Sequence, residues 1–411
     1  MTRSVTVVGT LVAGVSPESG DDLAKVIDFL RAYRDAKQYV IDKIWDRRAD
    51  LPSLEKLHHE FYEELRKLGF RAHHVKEILK SARELVKAMH EKEKKGEDVS
   101  KPELRRLTAR LDIYDIKIDF ERRTVRLPLL NGESVTLKLR VYEGRVRKFE
   151  GWKFYNCVLR FCCGKLFLHI MFRKVVKLGK PKTVLAVDPN FRNFTVAIMN
   201  RKGRILRIKR YENPLPRALT LRIWAERIQK RYPKSWRFSK NILAVVRKFH
   251  RRSRNVLRTN LHKVAKMIVE LADKHNSIIV LEKLDGLKRK EENGSYSFRK
   301  SMTFFAYRTF QEFVEYKAKE RGIPVTRVSP RGTSSRCPRC GKRRRKYEGR
   351  ILKCRCGFAG DRDVVACINL VRKYLSRCAR VRGHGRTGTN PSSEGHVSQA
   401  DESMRVKVNN S

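Results

Sequence analysis

Val184-Leu185-Ala186-Val187-Asp188 decides how this chain is read: four apolar residues in succession, then an acid. A run that is apolar at every position, rather than every second one, belongs to a strand covered on both faces. Ile278-Ile279-Val280-Leu281-Glu282 repeats the arrangement. An acid at the end of such a strand is costly to keep unpaired, so a basic neighbour or a metal must compensate it. One such acid is usually an ion pair or a cap. Two of them, followed by Asp361-Arg362-Asp363 at the start of a helix over Val364 to Tyr374, form a more specific pattern. Carboxylate oxygens suit Mg²⁺ or Mn²⁺. Hydrolysis of a phosphodiester uses two such ions, about 3.5–4 Å apart, and needs no Ser or His nucleophile.

Between the second and third acids lie Cys337-Pro338-Arg339-Cys340-Gly341 and Cys354-Arg355-Cys356-Gly357. Two cysteine pairs, each followed by glycine, match a tetrahedral four-thiolate zinc site built on two turns, and closed sites of that kind are structural. The second pair is one residue shorter than usual, so either that turn is tighter or one ligand is replaced. Cys157, Cys162, Cys163, Cys367 and Cys378 are read as small core residues. Nine cysteines, an odd number with two adjacent, argue against a disulfide framework and for a reducing, intracellular (cytoplasmic) setting.

The charge balance points to the partner. Against 95 lysines and arginines stand 44 acids, a formal net charge of +51, and such a surface calls for a polyanion. The basic residues run through several segments rather than one amphipathic helix, which favours nucleic acid over a membrane. The helix expected over Lys240 to Lys274 puts Phe249, Val256, Val264, Ile268 and Leu271 on one face. Its other face carries Lys248, Arg251, Arg252, Arg254 and Arg258, cations of one sign suited to a phosphate backbone. Trp152, Tyr155, Trp224 and Trp236 could stack on bases, although core packing is the commoner role of such residues.

The periodicity also divides the chain. Residues 1–20 hold an apolar stretch, Val5 to Val15, expected as a buried edge strand. Residues 21–111 are helical, with Ser53 as an N-cap and Gly69 as a C-cap; residues 112–180 alternate with period two around the turn Asn131-Gly132. The strand delivering Asp188 opens the part at 183–332, the cysteine ribbon occupies 333–359, and 360–377 completes the second half. The Gly-, Ser- and Asn-rich residues 378–411 are expected to be disordered. No apolar run is long enough to span a bilayer.

At these residues the chain resembles a family. The strand ending in Asp188, Ile279-Val280-Leu281-Glu282-Lys283-Leu284, and Asp361-Arg362-Asp363-Val364-Val365-Ala366-Cys367-Ile368-Asn369-Leu370 look like the three RuvC motifs of TnpB. That family comprises transposon-encoded nucleases related to type V CRISPR effectors. Thr333 to Gly341 resembles its ribbon entry, and Phe304 to Lys319 followed by Gly322 to Val325 the helix and strand before it. The resemblance covers roughly 183–375 and implies an α/β, RNase H-like (RuvC) nuclease domain with an inserted zinc ribbon. Ahead of it would lie a helical bundle inserted in a small antiparallel β unit, like the family's recognition and wedge domains. It implies Asp188, Glu282 and Asp363 as catalytic Mg²⁺ ligands, Cys337, Cys340, Cys354 and Cys356 as Zn²⁺ ligands, and a guide RNA with target DNA as partners. Asp363 is chosen because the family's third acid directly precedes the helix of small residues; Asp361 stays open as the alternative. Pro189-Asn190 stands where Leu-Gly is common. A non-cleaving RNA-guided binder is the competing reading. A Tyr–His–His transposase is disfavoured because His58-His59 are adjacent on a helix.

Overall fold

In the computed structural model the described residues are 3–233, 235–283, 295–343 and 349–383, with side chains described for all of these except 295–305 and 380–383. The described residues divide into two compact units: Val8–Lys174, and residues 175–383 together with those before Val8.

The first unit joins a seven-stranded antiparallel sheet to three long helices and a short one. Strand β1 (Ser4–Pro17) leads into α1 (Gly20–Ile44), where the Ser19 hydroxyl accepts the Asp22 N–H at 3.1 Å and Asp21 and Asp22 favour the N-terminal dipole. Helix α2 (Leu54–Lys67) is capped in the same way by Ser53 and ends at Gly69 with φ +86°. Helix α3 (Ala72–Glu93) follows, and the strands are β2 (Thr108–Asp112), β3 (Lys117–Asp119), β4 (Thr124–Pro128) and β5 (Ser134–Arg140). The short helix α4 (Glu143–Arg147) precedes β6 (Lys153–Cys162) and β7 (Lys165–Lys177). The sheet order is β2-β6-β7-β1-β5-β4-β3, so β1 is the central strand and not an edge. Alternation of apolar residues tells which face of a strand is buried; it carries no information on how many neighbours pair with it. Asn131, with φ 51°, and Gly132 do turn the chain between β4 and β5. Cys163 is no core residue: it is exposed in the β6–β7 turn with φ 51°, beside Gly164 with φ 72°.

The second unit is a five-stranded sheet between two helical layers. Strands β8 (Thr183–Pro189), β9 (Asn193–Asn200) and β10 (Ile205–Glu212) form an antiparallel meander. Helices α5 (Leu215–Arg231) and α6 (Lys240–Lys274) lead to β11 (Ser277–Glu282), and α7 (Ser295–Glu320) to β12 (Val325–Val328). Strands β11 and β12 join β8 in parallel, giving the order β10-β9-β8-β11-β12. The ribbon hairpin β13 (Ile351–Lys353) and β14 (Ala359–Asp361) then feeds α8 (Arg362–Gly383).

The unbroken apolar run of β8 follows from this layering. Leu185 and Val187 pack with Leu261, Ile268, Phe310 and Val314 from α6 and α7, whereas Val184 and Ala186 pack with Cys367, Ile368 and Val371 from α8. Helix α5 was not anticipated, because its buried face is only Leu215, Ala218, Leu219 and Ala225. On α6 the buried line runs through Val246, Ser253, Leu257, Leu261 and Val264, leaving Phe249 and Val256 at its margin. Helix α8 continues to Gly383, past the point where the tail was expected to begin; residues 384–411 lie outside the described residues.

Candidate active site and cysteine ribbon

Strand register brings the first two acids together. Val280 stands beside Ala186 in the parallel β8–β11 pair, so Glu282 and Asp188, two residues further along, leave the sheet at the same end. Asp363, in the first turn of α8, is 2% exposed, and its helix packs on β8 and β9. Burial pushes Asp188 up to about 7, and the charges of Glu282 and then Asp363 add to the rise. Burial also raises Glu282, against a hydrogen bond from Thr333 and the charge of Lys373. Tyr307 on α7 is raised by burial and then by Asp188 and Glu282, which marks it as a neighbour of both.

Asp361 has a different role from Asp363. Its Oδ1 accepts the backbone N–H groups of Asp363 at 3.0 Å and Val364 at 3.3 Å, the geometry of an N-cap for α8. It also pairs with Arg210 at 2.9 Å. Arg350, immediately after Gly349 in the ribbon, donates to Asp363 Oδ2 and lies 3.8 Å from Asp361 Oδ2. Among the described residues, only the four ribbon cysteines bring three or more His, Cys, Asp or Glu ligand atoms all within 4.8 Å. The three carboxylates stand wider apart, as like charges do with an arginine on one of them.

Several supporting side chains carried no assigned role in the sequence. Asn190, in the turn that departs from the family pattern, donates to Asp188 Oδ2 at 3.0 Å, and Asn213 holds Asn190 through its carbonyl at 2.7 Å. Gln311 donates to the Glu282 carbonyl at 2.7 Å. Asn369 of α8 donates to the carbonyls of Thr333 and Arg336 at 2.7 and 2.8 Å, tying the helix of Asp363 to the ribbon entry. A buried Gln or Asn beside an acid-bearing motif is the only signal the sequence offers for these.

In the ribbon, Gly341 N–H bonds to the Cys337 carbonyl and Gly357 N–H to the Cys354 carbonyl, both at 2.9 Å; the two glycines have φ 71° and 80°. The shortened second turn therefore still presents both its thiols. Sulfur pairs 337–356 and 340–354 lie 3.6 and 3.5 Å apart. Tetrahedral zinc with bonds of about 2.3 Å needs about 3.8 Å between sulfurs. The cluster is compatible with a structural zinc. The Phe358 backbone N–H acts to lower the Cys356 thiol, but burial and the three neighbouring thiols outweigh it and push it up to about 11, crowding that a cation would relieve. The ribbon core of Cys337, Leu352 and Phe358 packs on Val365, two residues after Asp363 in α8.

The five cations proposed on α6 are all exposed. An open cleft of about 400 Å³ beside them is lined by Arg217, Thr220 and Leu221 of α5 and Arg252, Val256 and Asn260 of α6. Of the four candidate stacking residues, Trp152 is in the core, whereas Tyr155 and Trp224 are exposed and Trp236 half-buried. No described helix is long and apolar enough to cross a membrane.

This fold, with its sheet between helical layers, resembles that of solved Cas12 effectors. The Cas12f1 chain of a solved Cas12f1–sgRNA–target DNA complex matches with a TM-score of 0.56 at 15% identity, over 89% of this chain and 99% of that one, a likeness of fold. A family model described as "Cas12f1-like, TNB domain" matches residues 307–370, and one described as "Uncharacterized protein MJ0013 family" matches residues 29–128. TnpB-like protein MJ0751 of Methanocaldococcus jannaschii is 28% identical over 264 residues, 62% of this chain and 92% of the relative. CRISPR-associated endodeoxyribonuclease Cas12f2 of a Micrarchaeota archaeon is 32% identical over 128 residues, 28% of this chain and 23% of the relative. The chain belongs to the TnpB family, related to the type V effectors.

Proposed function

We propose that this chain is a transposon-encoded, RNA-guided DNA endonuclease that hydrolyses phosphodiester bonds with divalent metal ions, acting in the cytoplasm on DNA. The observation that carries the reading is the convergence of Asp188, Glu282 and Asp363 at one end of the sheet, where Asp188 is held at about 7 by burial and by the other two charges. Such an acid cluster is unstable without a cation, and an all-oxygen donor set fits Mg²⁺ or Mn²⁺. Residues 183–332 and 360–377 would form an RNase H-like RuvC domain around it, with 333–359 as the ribbon. Residues 1–20 and 112–180 would act as a wedge-like unit and 21–111 as a recognition-like one.

In this reading Asp188, Glu282 and Asp363 hold the catalytic ions, and Cys337, Cys340, Cys354 and Cys356 hold zinc for structure. When bound, the catalytic ions would acidify the attacking water and stabilise the leaving oxygen. The chain's own contribution is positioning. Asn190 orients the Asp188 carboxylate, Gln311 fixes the strand end that carries Glu282, and the Asp361 cap sets the first turn that carries Asp363. Lys248, Arg251, Arg252, Arg254 and Arg258 would contact nucleic-acid backbone. The similarity to a Cas12f1 bound to sgRNA and target DNA supports a guide RNA as partner.

One observation favours the non-cleaving alternative: Arg350 sits on Asp363. The test is a cleavage assay with RNA co-purified from the source cell, matching DNA and Mg²⁺. Cutting by the wild type, lost in Asp188→Ala and Glu282→Ala while RNA and DNA binding persist, is the expected result. A wild type that binds both and never cuts would establish the alternative.

A further inference from the structure

The turn joining α5 to α6 is built for contact with something outside the fold. Phe238 is 86% exposed and Tyr232 38%, with Trp236 half-buried between them; Trp224, one helical stretch back, is 48% exposed. A phenylalanine gains by being buried, so this is apolar area the fold leaves unused. The rings alternate with cations. The Arg231 guanidinium lies 5.9 Å from the Tyr232 ring centre, and Arg237 lies 5.2 Å from that of Trp236. Between Asn213 and Val269 the chain contains a single acid, Glu226.

A solvated charged surface would account for the arginines but leaves the rings unexplained. An amphipathic membrane anchor would need an apolar helix face, and the apolar faces of α5 and α6 are already buried against each other and the sheet. A nucleic-acid duplex turns its phosphates outward and keeps its bases stacked inside, so it satisfies the arginines alone. An unpaired strand offers phosphates and base faces together, and a base gains affinity by stacking on an aromatic ring. We propose that the α5–α6 turn, through Tyr232, Trp236 and Phe238 with Arg231 and Arg237, is a stacking platform for an unpaired segment of RNA. The choice of RNA rests on the proposed function: a resident guide covers these rings throughout the working life of the protein, whereas target DNA arrives only transiently.

The test uses full-length protein and fluorescence anisotropy with labelled oligoadenylate RNA, its DNA counterpart and a mixed-sequence DNA duplex. Phe238→Ala should weaken RNA binding roughly tenfold, with a loss on duplex of less than about twofold. Phe238→Leu should weaken it equally, since leucine keeps bulk without a π-face, and Phe238→Tyr should restore it. Leucine binding like wild type, equal losses on RNA and duplex, or a larger loss on single-stranded DNA than on RNA would each overturn the proposal. The readout separates it from the nuclease reading. Unchanged RNA affinity in a Phe238→Ala protein that still cuts removes the platform only. Weakened RNA affinity beside a wild type that never cuts removes the nuclease reading only.

Discussion

At the scale of single residues, Asp188 links stability to pH. Its ordinary value is 3.8 and the fold raises it to about 7, so the native state favours the protonated acid. Stability from this group is complete below 3.8 and is lost as pH climbs through 7. In metal-free protein the full loss should reach roughly 4 kcal/mol by pH 8, more than half of it between pH 5 and pH 8. Denaturation in EDTA at pH 5 and pH 8 should therefore show a fall in wild type that Asp188→Asn lacks; parallel pH slopes in the two proteins would refute this. The two aspartates of the third motif should separate likewise. Asp363→Asn should abolish metal-dependent activity, whereas Asp361→Ala should mainly cost the cap, about 1 kcal/mol of stability, with part of the cleavage retained. Asp188 and Glu282 were legible as candidates because an acid ending a doubly buried strand has few explanations, whereas Asp363, in the first turn of a helix, was reached only through the family resemblance. The division of labour between Asp361 and Asp363 was not legible, because two residues of spacing separate a cap from an inward-facing ligand only once the helix start is fixed. Asn190 and Gln311 were missed for a related reason: an amide's role depends on what stands opposite it.

At the scale of elements, the ribbon and α8 behave as one piece. Val365 closes the ribbon core, Asn369 holds the ribbon entry, and Arg350 reaches Asp363. Chelating zinc, or the double change Cys337→Ser/Cys340→Ser, should lower cleavage at least tenfold without any chemistry at the thiols; unchanged turnover would show that the two sites are independent. In the other unit the α2–α3 corner is equally specific. Gly69 has φ +86°, and a Cβ there would collide with the Asn131 side chain, so Gly69→Ala should cost at least ~1 kcal/mol in a denaturant melt. Ser53, Gly69 and the limits of α6 were legible because caps and one-sided apolar stripes are local features. The central place of β1 was not, since strand neighbours are chosen by the whole sheet. Helix α5 escaped notice because its stripe is sparse and Pro214 and Pro216 open it.

At the scale of the whole molecule, a net charge of +51 makes affinity for nucleic acid a function of salt. Changing Lys248, Arg251, Arg252, Arg254 and Arg258 to Gln should flatten the slope of log affinity against log salt by about four to five, one for each lost phosphate contact. A slope unchanged by all five substitutions would place the backbone contact elsewhere. The charge was evident from composition alone; which face carries it required the helix to be oriented by its buried line.

The order in which the site is assembled has a consequence for synthesis. Asp188 and Glu282 are in place once β11 has been made, but Asp363 follows the entire ribbon, within the last helix described. A ribosome therefore releases every strand of the five-stranded sheet, the cationic helix and the whole antiparallel sheet before the third acid emerges. A nascent chain stalled in the ribbon would carry the surfaces suited to nucleic acid and lack a complete set of acids. On the proposed nuclease reading, translation would delay cutting until last, and a chain ending within the ribbon would keep the cationic helix while lacking the third acid.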